Sequence, residues 1–97
     1  MNVDRFIDFV IPMYGEQHQM IVAVEELSEL QKELTKHLRG KSNREHVLEE
    51  LSDVQLMLWQ LQKIFGFTDA EIMSVVNEKV VRTLNLHTSC TAETVDL

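Results

Sequence analysis

Apolar residues recur along most of this chain at steps of three and four, the spacing of one helical face. Val3, Phe6, Ile7, Val10 and Ile11 predict a short amphipathic helix over 2–11, closed by Pro12 and a turn at Met13-Tyr14-Gly15. Ala23, Leu27, Leu30, Leu34 and Leu38, widened by Met20 and Val24, predict a long helix from about Glu16 to Leu38. Gly40 reads as its stop, with Lys36, His37 and Arg39 in the last turn, where cations suit the helix dipole. Ser42 or Asn43 caps a third helix, about Arg44 to Phe65, whose stripe is Val47, Leu51, Val54, Leu58, Leu61 and Phe65. So short a connection makes the second and third helices antiparallel neighbours. Beyond Gly66, Thr68 and Glu71 form a capping-box pattern for a fourth helix, about Asp69 to Leu84. Ile72, Val75, Val76, Val80 and Leu84 are expected to face inward on it. Periodicity is lost from Asn85, so 1–84 reads as one helical domain and 85–97 as a tail. Strand alternation is nowhere sustained. The fold class expected is all-α, an antiparallel bundle of about four helices.

Composition narrows the function. A net charge of −7 argues against a general nucleic-acid binder, which would show a basic face. It suits a site where divalent cations invert the local charge for an anionic ligand. The single cysteine, Cys90, excludes an intrachain disulfide and fits a reducing cytosol. The start, MNVDRFIDFV, lacks the long apolar core of a signal peptide, and no stretch is long enough for a membrane span. A cytoplasmic protein without membrane partners is expected.

The chemistry is carried by a hexapeptide that occurs twice, Glu25-Glu26-Leu27-Ser28-Glu29-Leu30 and Glu49-Glu50-Leu51-Ser52-Asp53-Val54. Residues three apart on a helix project together, so Glu26 pairs with Glu29 and Glu50 with Asp53. Both pairs fall at the same angle beside their apolar stripes, at Leu27 and Leu51, and can converge on one rim if the stripes pack together. One Glu-x-x-Glu is usually solvated helix surface. Two copies with matched placement on consecutive antiparallel helices are a stronger signal. Four carboxylates in one place repel unless a cation neutralises them. Oxygen donors select Mg²⁺, Mn²⁺ or Ca²⁺. A di-iron site would need Glu-x-x-His pairs, which this chain lacks, and His18, His37, His46 and His87 read as surface residues. Mg²⁺ takes substrate phosphates as further ligands, which points to an enzyme acting on nucleotides.

With those motifs the chain resembles the MazG-like, all-α nucleoside triphosphate pyrophosphohydrolases, whose signature is EExxE, a spacer, then ExxD. Glu25-Glu26-Leu27-Ser28-Glu29 matches the first half and Glu50-Leu51-Ser52-Asp53 the second, across a spacer of 20 residues. Asn77-Glu78-Lys79-Val80-Val81-Arg82 looks like the family's NxKxxR segment, and Gln17-His18-Gln19 lies where relatives often carry a glutamine. The resemblance covers roughly 14–84. Thr83 departs from it, standing where many relatives have a second arginine.

The resemblance implies Mg²⁺-dependent cleavage between the α- and β-phosphates of a nucleoside triphosphate, with Mn²⁺ a possible substitute. Glu26, Glu29, Glu50 and Asp53 would hold the metal, and one of them or Glu25 would orient or deprotonate the water. Of the substrate-binding candidates, Lys79 and Arg82 would hold the phosphates or else form a solvated basic patch, and Asn77 either reads a base or sugar edge or bonds a neighbouring backbone group. Trp59 is either a base-stacking residue or a core or subunit-interface side chain. With Met57 it also leaves the third helix apolar around much of its girth, which calls for a further partner surface. Related enzymes assemble as dimers or tetramers, so a homo-oligomer centred near that helix is expected. Two other readings compete: a non-catalytic oligomeric helical regulator or interaction module, and a metal-binding structural bundle without turnover.

Overall fold

The computed structural model describes residues 2–91, with side chains to residue 87. It is all-α: among the described residues there are four helices and no strand. They are α1 (Val3–Tyr14), α2 (Glu16–Leu38), α3 (Arg44–Phe65) and α4 (Asp69–Thr91). The chain falls into two compact units, Met1–Gly66 and Phe67–Leu97.

In the first unit each boundary has a local cause. The Asn2 side chain accepts from the Arg5 N–H at 3.1 Å and starts α1. Pro12 does not end that helix, as its sequence position predicts, but lies inside the last turn. A proline there removes only one ladder bond, and the Gly15 N–H still closes on the Ile11 carbonyl at 2.8 Å. Helix α2 ends in a Schellman motif. The Gly40 N–H reaches the His37 carbonyl and the Lys41 N–H the Lys36 carbonyl, both at 2.9 Å. Gly40 has φ of 72°, where a side chain would be strained. Asn43 then caps α3 by accepting from the His46 N–H at 2.9 Å.

The first unit packs by laying α2 antiparallel to α3, with α1 across both. Ile7, Val10 and Ile11 form the buried cluster of α1, and Ile64 of α3 packs against it. Asp8 pairs with Lys63 at 3.4 Å on the same side. Between α2 and α3 the seam is not the one the leucines predict. The buried positions are Gln19, Ala23 and Glu33 on α2, with Val54, Met57 and Gln60 on α3. Leu27, Leu34, Leu51 and Leu58 are each about half exposed, and Leu38 more so. Ala23, with almost no side chain to hold the helices apart, suits the seam, and the bulkier leucine row is left half exposed. Trp59 is also exposed, while Met57 fills the seam.

The second unit is built on α4, which opens with the expected capping box. The Thr68 N–H donates to Glu71 Oε1 at 2.9 Å, and the Glu71 N–H to Thr68 Oγ1 at 3.1 Å. The helix continues past Leu84 to Thr91, through residues whose apolar period has faded. Backbone bonding propagates without an amphipathic pattern when neither proline nor glycine interrupts it. Of the tail expected at 85–97, residues 92–97 lie outside the described residues. Ile72, Val75, Val76, Val80 and Leu84, expected inward, are exposed, and within its own unit α4 has no second helix to cover its stripe.

Candidate metal centre

Glu26 stands midway along α2, and Glu50 and Asp53 stand one turn apart in the first half of α3. Antiparallel packing brings the three together. One oxygen from each lies within 4.8 Å of the others. Glu26 and Glu50 are half-buried in the seam, and Asp53 is exposed beside them. The acids therefore sit between the helices, a step around from the rim that the leucine stripes imply.

Their electrostatics follow from that placement. The Glu26 carboxyl is held above its ordinary value of 4.5, first by burial, then by the Asp53 and Glu50 charges. A hydrogen bond shared with Asp53 and the charge of Glu29 push the same way. Glu50 is raised too, by lost hydration first and then by Asp53, Glu29, Glu33 and Glu49. Every neighbour named is an acid.

Of the other predicted residues, Glu25 and Glu29 are exposed on α2. Glu29 adds its charge but lies outside the three-oxygen cluster. The motif serine Ser52 donates to the Leu48 carbonyl at 2.7 Å, so its hydroxyl is turned back on its own helix. Asn77, Lys79 and Arg82 all belong to α4 and are exposed. Asn77 and Arg82 line one open groove along that helix and Lys79 another. Thr83 bonds the Lys79 carbonyl at 2.8 Å through its hydroxyl.

Sequence reasoning passed over Glu33. It is 7% exposed and accepts a hydrogen bond from the Ser42 hydroxyl, with His46 Nδ1 at 3.6 Å and Lys36 Nζ at 3.8 Å. Its position seven residues after Glu26, two turns along the same face, was the available signal. Gln19 and Gln60 were missed as a pair. They are buried and joined by a 2.8 Å bond from Gln19 Nε2 to Gln60 Oε1. His18 is exposed as expected, stacked on Tyr14 with ring centroids 5.4 Å apart and bonded to Gln19 at 2.8 Å.

The donor set suits a hard divalent cation: three carboxylates, all oxygen, from two rigid helices. Raised carboxyls fit as well, since a cation would relieve the repulsion that holds them up. No protein-family model matches the chain, and no curated protein or solved structure matches it. Among the described residues no helix is long and apolar enough to cross a membrane.

Proposed function

We propose that this chain is a Mg²⁺-dependent nucleoside triphosphate pyrophosphohydrolase, cleaving the bond between the α- and β-phosphates with water to give a nucleoside monophosphate and pyrophosphate. The observation that carries the proposal is the meeting of Glu26, Glu50 and Asp53, within 4.8 Å, from two consecutive helices. The doubled acidic motif and its resemblance to the MazG-like enzymes supply the substrate class. Glu26, Glu50 and Asp53 would hold the cation, Glu29 completing the set from the next turn of α2. A divalent ion bound there supplies a Lewis acid for phosphate oxygens and an acidified water. Glu25 or one of those four carboxylates would orient or deprotonate the attacking water. Arg82 and Lys79 are assigned to the phosphates, where guanidinium and ammonium groups bind well, and Asn77 to the sugar or base edge.

The same reading places the protein in the cytoplasm as a nucleotide-pool enzyme and makes it a homo-oligomer, dimer or tetramer. Its support is the exposed row Leu27, Leu34, Leu51 and Leu58, with Trp59 nearby, an apolar face of the kind a second chain covers. Pyrophosphate release from a panel of ribo- and deoxyribonucleoside triphosphates, with Mg²⁺ and with chelator, tests the activity. Release from at least one substrate, dependent on the metal, is expected. Silence across the panel favours the non-catalytic helical module.

A further inference from the structure

Three polar pairs cross the seam between α2 and α3, and they share one interval. Gln19 bonds Gln60, Glu26 meets Asp53, and Glu33 faces His46. On α2 the members step up by seven residues, from 19 to 26 to 33. On α3 they step down by seven, from 60 to 53 to 46. Seven residues are two helical turns, about 10 Å of axis, so the pairs are evenly spaced rungs in one antiparallel register.

The rungs differ in sign. The middle one brings carboxylates together, with Glu50 beside them, and favours separation of the helices. Both outer rungs attract. In the first, each amide end is engaged: Gln19 Oε1 bonds His18 Nδ1 at 2.8 Å, Gln19 Nε2 bonds Gln60 Oε1, and Gln60 Nε2 lies 3.5 Å from Met57 Sδ. In the third, the Glu33 carboxylate takes the Ser42 hydroxyl and faces His46 and Lys36. Gln60 is 2% exposed, Gln19 5% and Glu33 7%. Groups so buried are costly when unpaired. A slip of α3 by one turn would orphan them, so only one register satisfies both ends of the seam. A polar residue in an otherwise apolar helical seam fixes register in this way, at some cost in stability.

We propose that Gln19, Gln60 and Glu33, with Ser42 and His46, are positioning residues. They lock the α2–α3 register at both ends and thereby hold Glu26 level with Glu50 and Asp53 against their repulsion, preforming the cation site. The inference rests on the reading of those three acids as a cation site. Its register element stands on the outer rungs alone.

The test is the double variant Gln19→Leu/Gln60→Leu, which replaces both amides by apolar groups of similar size. Thermal stability should match or exceed that of the native chain, because neither partner is left orphaned. Mn²⁺, titrated into the protein and followed by electron paramagnetic resonance of the free ion, should bind about 10-fold weaker or worse, as when supporting partners of metal ligands are lost. Spin labels on cysteines replacing the exposed Gln31 and Gln55, in a Cys90→Ser background, report the register directly. The native chain should give one narrow distance, and the variant a distance shifted or broadened by about 5 Å, one turn. An unchanged distance overturns the proposal, whatever the affinity does. Native affinity in a folded variant whose register has moved overturns it equally. If the native chain binds no Mn²⁺, the cation reading falls and the label distance alone decides the register. Should the double variant not fold, His46→Leu at the other outer rung should weaken Mn²⁺ binding and move the label distance in the same way, with a lower melting midpoint because buried Glu33 loses a partner.

Discussion

Glu26 sits half-buried with Asp53 and Glu50 beside it, and burial, then those charges, hold its carboxyl above 4.5. An unfolded chain releases that proton near 4.5, the folded chain only at higher pH. Between the two, the folded state binds more protons, so without a cation its stability falls as pH rises through that window. Glu50 acts in the same direction. The melting midpoint in chelator should therefore climb as neutral solution is acidified toward the ordinary carboxylate range, and Glu26→Gln should flatten the climb. A midpoint that drops over the same interval in the native chain contradicts the crowding of these acids. Asp53 is exposed, so Asp53→Asn should leave the helical circular dichroism unchanged while abolishing Mg²⁺-dependent turnover. Full activity in that variant would remove Asp53 from the site. These acids were legible because residues three apart share a helical face whatever the tertiary fold. For Glu33 the spacing of seven from Glu26 marks only a shared face; its bonds to Ser42 and His46 cross the turn, and spacing within α2 does not reveal them.

At the scale of elements, the helices and their caps were written locally and could be read locally. Asn43, Gly40 and Gly66 mark ends through side-chain bonds or left-handed backbone, and Thr68 with Glu71 opens α4. Thr68→Ala should cost about 1 kcal/mol of helix stability, the usual price of a lost cap. Amide hydrogen exchange over the first turns of α4 checks it: faster exchange is expected, and unchanged protection counts against the cap. What could not be read locally was which face of each helix turns inward. Leucine rows dominate the pattern of α2 and α3, yet the seam runs through Gln19, Ala23 and Glu33 against Val54, Met57 and Gln60. Periodicity reports that a face is apolar, not which neighbour covers it. Pro12 and the last turns of α4 were misread for a related reason: backbone bonds carried the helix where side-chain statistics argued for an end.

For the whole molecule, the apolar area left by that choice of seam argues for association. Leu27, Leu34, Leu51, Leu58 and Trp59 are all more than 40% exposed, and monomers rarely leave so large an apolar row uncovered. Light scattering at micromolar concentration should give a mass of two chains or more, and a clean 11.3 kDa would end the oligomer proposal. With a net charge of −7, the proposed anionic substrate would need cations to hold it, either the proposed metal or the Lys79 and Arg82 side chains. The central claim is tested most directly by phosphorus NMR of a nucleoside triphosphate incubated with the protein and Mg²⁺. Growth of nucleoside monophosphate and pyrophosphate signals in equal amounts, without free phosphate, is the predicted result. An unchanged triphosphate spectrum for every nucleotide tried, or diphosphate with free phosphate, would contradict it.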